Sequence, residues 1–163
     1  MKILYFDTSS LFYSQSYIKS NERVLLAYEK WRTNPRTNLL KVVKPDLICV
    51  EKLRSAAIES GFKLYPLGNQ YKRSLFIECG LFAEDELAPD RALNLHIGDN
   101  DPIRKMIAHS QALEATWYLC GDAASEILSF YPEQHLTSTF GLGVTDELIH
   151  KIRATKRFSE RAC

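Results

Sequence analysis

Two acidic residues follow the most apolar runs of this sequence. Asp7 comes directly after "KILYF" and precedes three hydroxyl residues (8–10), while Gly121-Asp122 follows "ATWYLC". A carboxylate at the end of a buried strand can attack a substrate or bind a cation, and it can equally cap the turn that follows. If the two strands are parallel, both acids lie at one edge of the sheet, where they would form a site for Mg²⁺.

The elements that position these acids alternate between strands and helices. Apolar runs predict buried strands at 2–6, 63–67 and 115–120, a short strand in "ALNLHI" (92–97), and an edge strand in "HLTST" (135–139). Turn and cap residues predict helices that begin after Pro45-Asp46, at Pro102 and after Thr145, with one that ends near Cys79-Gly80 and another around Glu22–Trp31. This alternation is typical of a parallel sheet covered by helices, so the predicted fold class is α/β.

One domain accounts for the whole chain. Its 163 residues can bury a core without disulfides, and we expect a single domain over 1–163. Residues 13–44 are interrupted near Pro35 and follow no clear pattern; we interpret them as a small cover insert above the carboxyl end of the sheet. No large cap is predicted.

Composition and charge exclude several classes of partner. The chain is 45% hydrophobic and 25% charged with a net charge of +1, which gives no electrostatic signal for nucleic acid or a membrane surface. We expect no signal peptide, because the strand-like "ILYF" follows Met1 and Lys2 directly; no apolar run of membrane-spanning length is present, and the four cysteines have no C-x-x-C spacing. We expect a reduced, cytoplasmic protein without a zinc site.

The order of these pieces resembles the haloacid dehalogenase superfamily, in particular the small capless domains of its RNA-repair-associated members. The opening "ILYFDTSSLF" is similar to the apolar strand and Asp-x-Asp motif of the family. "PDLICVEKLRSAAIESGFKLYPLGNQYKR" is similar to its second helix and strand. "WYLCGDAASEILSFYPEQHLTSTFGLGVTDELIHKIRA" resembles its closing stretch. The resemblance implies a Rossmann-like three-layer sandwich with a central, mostly parallel sheet.

The resemblance also implies a reaction and a cofactor. Asp7 takes the place of the nucleophile that forms an aspartyl-phosphate, and Asp122 takes the place of the acid that holds Mg²⁺, with Glu126 as a helper. Asn69, Arg73 and Lys105 are the candidates for binding the phosphorylated substrate, which could be a small molecule or a macromolecule.

The chain departs from the family pattern where acid–base chemistry is needed. Ser9 stands where the family has a second aspartate, and an alkyl hydroxyl cannot do the proton transfers of that carboxylate near neutral pH. Gly68 stands in place of a phosphate-binding Ser or Thr. These departures favour a degenerate phosphohydrolase site, weakly active or inactive, that binds a phosphorylated ligand or partner.

Three alternatives remain open at this stage. An active magnesium-dependent phosphatase would use Asp7 as nucleophile despite Ser9. A PIN-like nuclease also places acids at strand ends, but it needs a larger set of converging carboxylates. In a second alignment of the magnesium motif, "LHIGDND" would put Asp99 and Asp101 at the metal instead of Asp122; His96, which would lie beside the site, has no assigned role.

Overall fold

The computed structural model describes residues 1–95 and 100–161, with side chains described as far as residue 156. Its centre is a four-stranded parallel sheet with the strand order β2-β1-β3-β4. The strands are β1 (Lys2–Phe6), β2 (Phe62–Pro66), β3 (Thr116–Cys120) and β4 (His135–Leu136). Helices flank the sheet, which confirms the predicted α/β class and its Rossmann-like three-layer arrangement.

Eight α-helices are found in the described part of the chain. They are α1 (Thr8–Phe12), α2 (Gln15–Ser20), α3 (Glu22–Thr33), α4 (Leu39–Val42), α5 (Leu47–Glu59), α6 (Arg73–Glu78), α7 (Pro102–Ala112) and α8 (Asp146–Arg161). Two 3₁₀ turns lie at Glu84–Glu86 and Glu126–Phe130. The helices predicted after Pro45-Asp46, at Pro102 and after Thr145 are therefore confirmed.

Strand β1 is buried on both faces, and its side chains divide the core into two halves. Leu4 and Phe6 pack with α5 and α8 on one face, whereas Ile3 and Tyr5 pack with α7 on the other. Successive side chains of a strand point to opposite faces, so a continuous apolar run is what a central parallel strand requires. This double burial explains why β1 is so apolar up to Asp7.

The predicted capping residues form the expected hydrogen bonds. Asp46 accepts a hydrogen bond from the Ile48 amide at the start of α5, and Thr145 accepts one from the Leu148 amide at the start of α8. One face of α5 is buried, and its buried residues are Cys49, Val50, Leu53, Ala56 and Ala57. Local sequence and tertiary burial agree along these two helices.

The two ends of the cover insert lie next to each other. The Asp46 amide donates to the Phe12 carbonyl at 2.9 Å, and the Tyr13 hydroxyl donates to the Val43 carbonyl at 2.7 Å. Between these contacts the chain forms α2, α3 and α4. The two ends of the 13–44 segment are thus fastened to each other.

The strand predicted at 92–97 is wrong over its described part. Residues 92–95 pair with no strand, and the position beside β2 is taken instead by a bridge from Leu64 to Leu87. Leu93 and Leu95 are half-buried although they do not join the sheet. The rest of "ALNLHI" lies outside the described residues.

Two further features concern the surface and the thiols. In the described part of the chain, no helix has the length and apolar character needed to cross a membrane. Cys49 and Cys120 are buried free thiols.

Candidate functional site

Asp7 lies at the carboxyl end of the central strand and begins the helix that follows. Its amide donates to the Cys120 carbonyl at 3.1 Å, which continues the pairing of Phe6 with Cys120 beyond β1. Its carboxylate Oδ2 accepts a hydrogen bond from the Ser10 amide at 3.2 Å and so caps α1. Asp7 is therefore a cap, and because it is half-buried it also reaches solvent at the end of the sheet.

Gly121 and Ser10 bring the Asp122 segment against Asp7. Gly121 has a φ of +114°, and a Cβ placed on it would lie 2.8 Å from the Asp7 Cβ, so only glycine fits this approach without displacement. The Asp122 amide donates to the Ser10 Oγ at 3.0 Å. Ser10 thus joins the two acidic segments, with its amide on the first and its hydroxyl on the second.

The environment of Asp7 disfavours its charged form. Burial raises the pKa of the Asp7 carboxyl above its ordinary value, and the charge of Asp122 adds to that rise. Hydrogen bonds from Ser10 and Ser9 act in the opposite direction and offset part of it. A cation bound by the two acids would stabilise the charged form of Asp7, because it offsets the cost of burying that charge and the repulsion from Asp122.

The two acids line one cleft with a volume of about 540 Å³, which we call the Asp7 cleft. Ser9 and Ser10 line it at the end of β1, and the cover insert supplies another part of its lining. Its lining residues are Asp7, Ser9, Ser10, Tyr13, Gln15, Ile18, Lys19, Leu25, Tyr28, Glu29, Trp31, Arg32, Asp122, Phe140 and Gly141. A cleft of this size can hold a small organic ligand.

The donor set of the cleft fits a weakly held Mg²⁺. Two carboxylates can bind Mg²⁺ because this ion keeps several waters and often takes further oxygens from a substrate phosphate. Over residues 1–95 and 100–156, no group of three or more His, Cys, Asp or Glu side chains is arranged to hold a metal. Asp7 and Asp122 would therefore act as a partial site that a phosphate oxygen completes.

Two of the predicted substrate-binding residues lie in a different cavity. Asn69 and Lys105 line a cavity of about 300 Å³ beside β2, which we call the Tyr5 cavity. The Lys105 Nζ donates to the Asn69 Oδ1 at 2.6 Å, so the two side chains bind each other. Tyr71 also lines this cavity; burial and then the charge of Asp7 raise its pKa.

Arg73 and Glu126 lie outside both spaces. The Arg73 Nε donates to the Ala88 carbonyl at 2.8 Å and its Nη2 donates to the Glu84 carbonyl at 2.9 Å. This guanidinium holds the chain that returns after α6. Glu126 is an exposed residue that begins a 3₁₀ turn after Asp122, and it is not part of the cleft lining.

The alternative metal motif falls only partly within the described residues. His96 and Asp99 lie outside them. Asp101 is described and caps α7 by accepting a hydrogen bond from the Ile103 amide at 3.0 Å. Asp122, in contrast, follows the strand that pairs directly with β1, which puts its segment beside Asp7.

The Tyr5 cavity has a floor of buried polar groups that satisfy one another. The Tyr5 hydroxyl lies 2.7 Å from His109 Nδ1, and His109 Nε2 lies 2.8 Å from the Pro89 carbonyl. Because a carbonyl only accepts, Nε2 carries the proton and Nδ1 accepts from Tyr5. Burial lowers the pKa of His109, so the neutral ring is favoured.

Sequence reasoning missed several residues in or beside the Asp7 cleft. Ser10 could have been found from the Asp-x-x-Ser spacing of a helix start, and Gly121 from its place before an acid at a strand end. Lys19, Arg32 and Phe140 had no such signal, because they are distant in sequence and meet only through the fold.

Comparisons of the chain with protein-family models, with curated proteins and with solved structures find no match to any of them. A function for the Asp7 cleft must therefore come from its own residues and their geometry.

Proposed function

We propose that this chain is a haloacid dehalogenase-like protein with a degenerate phosphohydrolase site. It binds a phosphorylated ligand or partner in the Asp7 cleft and hydrolyses it slowly or not at all. The observation that supports this most directly is the junction of Asp7 and Asp122 through Ser10 at the carboxyl end of the sheet. Mg²⁺ bound by the two acids would neutralise charge between the carboxylates and the phosphate.

The nucleophilic step would be carried by the Asp7 carboxylate. Its oxygen would form a bond to phosphorus as the bond from phosphorus to the leaving oxygen breaks, and the leaving oxygen then needs a proton. Ser9 lines the cleft but has no proton to give at neutral pH, so water must supply it.

The second half of the reaction meets the same obstacle. Hydrolysis of an aspartyl-phosphate requires a base that takes a proton from the attacking water. Ser9 stands where that base would be, and a hydroxyl does not accept the proton at neutral pH. An aspartyl-phosphate on Asp7 would therefore persist, and the site would hold its ligand rather than release a product.

The alternatives receive less support from the cleft. A competent phosphatase would need an acid–base group beside Asp7, and Ser9 does not provide one. A PIN-like nuclease would need more converging carboxylates than the Asp7, Glu29 and Asp122 that line the cleft in the described part of the chain. The degenerate binding site is therefore the function we put to the test.

The test restores the missing carboxylate. Ser9→Asp should raise hydrolysis of a generic aryl phosphate in the presence of Mg²⁺, since general acid–base catalysis typically contributes about 10²–10⁴-fold. Steady-state kinetics on the wild type and the variant measure the gain. Ser9→Asn is the matched control, because it has nearly the same size and cannot transfer the proton.

Two outcomes would contradict the proposal. Fast turnover by the wild type would mean that the site is a competent phosphatase. Activity of Ser9→Asp that survives a second change, Asp7→Asn, would remove the nucleophile from the mechanism. Acid-quenched samples of the wild type incubated with a labelled phosphate ester add a direct readout, namely label retained on Asp7.

A further inference from the structure

Phe140 is an exposed aromatic residue at the mouth of the Asp7 cleft. Its side chain is 73% exposed although it belongs to the cleft lining. The backbone around it is fixed: the Leu142 amide donates to the Thr139 carbonyl at 3.2 Å, and the Gln15 amide donates to the Gly141 carbonyl at 2.9 Å. A firmly held turn therefore presents one flat apolar ring to solvent at the rim.

Two more aromatic side chains line the cleft from helix α3. The rings of Tyr28 and Trp31 are 5.8 Å apart, and the Trp31 indole N–H donates to the Thr37 carbonyl at 2.8 Å, which fixes the orientation of its ring. Both are half-buried. The cleft thus has flat surfaces on the cover insert and on the loop before α8.

The charged groups of the cleft belong to other elements than the exposed ring. Asp7 is half-buried at the end of β1. Lys19 and Arg32 of the cover insert add positive charge to the same lining, where Arg32 also lies 4.0 Å from the Glu29 carboxylate. A ligand that contacts the charged groups and Phe140 together therefore needs both a phosphate and a flat group.

We propose that the Asp7 cleft takes a nucleoside monophosphate, with its base stacked on Phe140 and its phosphate beside Asp7, Asp122 and the cover-insert cations. This inference rests on the proposed function and names its ligand class. Bases stack on aromatic side chains with little dependence on their identity. The sugar supplies the separation between ring and phosphate that a directly bonded aryl phosphate lacks.

The experiment compares adenosine 5′-monophosphate with ribose 5-phosphate, which lacks the base, and with phenyl phosphate, which lacks the sugar. Affinities are measured by calorimetry on the full chain with Mg²⁺, and by quenching of Trp31 fluorescence. We expect the nucleotide to bind more tightly than both other compounds. Phe140→Leu should reduce only the nucleotide's advantage, by roughly 5- to 150-fold, the range that base stacking on an aromatic ring provides.

The chain offers a matched control for this substitution. Phe130 is 78% exposed and does not line the cleft, so Phe130→Leu removes an equally exposed ring at another place. It should leave all three affinities unchanged. Because both phenylalanines are exposed, neither change should unfold the protein, and thermal melts verify this.

The possible outcomes distinguish failure of the nucleotide inference from failure of the proposed phosphate-binding function. Equal binding of nucleotide and ribose 5-phosphate would overturn the base site and leave phosphate binding intact, as would a nucleotide preference that survives Phe140→Leu. Phenyl phosphate that binds as tightly as the nucleotide would overturn the nucleoside class. Absence of binding by all three compounds would overturn the proposed function itself.

Discussion

Tyr5 of strand β1 lines the Tyr5 cavity, and Asp7, which follows that strand, lines the Asp7 cleft. The polar groups of the two spaces differ in how far they bind one another. In the Tyr5 cavity, Tyr5, His109 and the Pro89 carbonyl form a closed chain of hydrogen bonds, and Lys105 binds Asn69. In the cleft, neither Asp7 nor Asp122 forms an ion pair with any described residue, and each segment is held by Ser10. Polar groups that form hydrogen bonds with one another stabilise a fold, whereas carboxylates that form no ion pair in a cleft can bind a cation from outside.

The largest expected effect concerns metal binding. Mg²⁺ should bind the wild type weakly, and Asp7→Asn or Asp122→Asn should abolish that binding, because a single carboxylate rarely holds this ion without a substrate phosphate. Isothermal calorimetry with Mg²⁺ is the measurement. Asp90→Asn is the matched control: Asp90 accepts a hydrogen bond from Tyr65 in the Tyr5 cavity and should not affect the titration. Equal binding by all four proteins would erase the contrast between the two regions.

A smaller effect follows from the close approach of Gly121 to Asp7. Gly121→Ala should destabilise the protein by about 3 kcal/mol, from strain at a positive φ and from overlap with the Asp7 Cβ. Chemical denaturation measures the loss. Gly68→Ala in the Tyr5 cavity is the control, since Gly68 also has a positive φ but a Cβ there would meet no atom within 4 Å. It should cost only about 1 kcal/mol. Similar losses in both variants would mean that the packing at Asp7 is loose.

The smallest expected effect is a pair of pH dependences with opposite sign. The pKa of Asp7 is raised, so the folded protein holds this proton more tightly, and stability falls as pH rises above the ordinary pKa of 3.8 and through the folded pKa. Asp7→Asn should therefore gain stability over the wild type across that window. The pKa of His109 is lowered, so its contribution is complete above 6.5 and is lost as pH falls through the folded pKa.

Urea melts of the wild type, Asp7→Asn and His109→Gln at a series of pH values test both directions. The advantage of Asp7→Asn should grow from below pH 3.8 upward and then level off. The advantage of the wild type over His109→Gln should shrink as pH falls below 6.5. Parallel curves for all three proteins would show that neither group differs between folded and unfolded states.

Sequence reasoning predicted the elements whose local residue pattern matches their burial in the fold. Strand β1 is apolar along its length because both of its faces are buried, and α5 carries both its cap and its buried stripe in sequence. The pairing of Asp7 with the Asp122 segment followed from the rule that parallel strands end at one edge. These features depend on short stretches of chain, so pattern alone could find them.

The parts that sequence reasoning missed depend on chain segments that meet only in three dimensions. Arg73 was placed at a substrate by its position after a strand, yet it binds the carbonyls of Glu84 and Ala88, which return to it after α6. The strand predicted at 92–97 failed in its described part because Leu87 already bridges to β2. Phe140 lies more than a hundred residues from Trp31, and no spacing links them.

The cover insert has one further consequence, which concerns how the protein can diversify. Its first and last residues are fastened together by the bonds of Asp46 to Phe12 and of Tyr13 to Val43, so the segment between them is a closed excursion from the sheet. The insert can be replaced by a longer or shorter segment without moving β1 or α5, since the entropic cost of closing a loop grows only slowly with its length. Asp7 and Asp122 would then stay in place at the end of the sheet, while a different insert would change which ligands the cleft accepts.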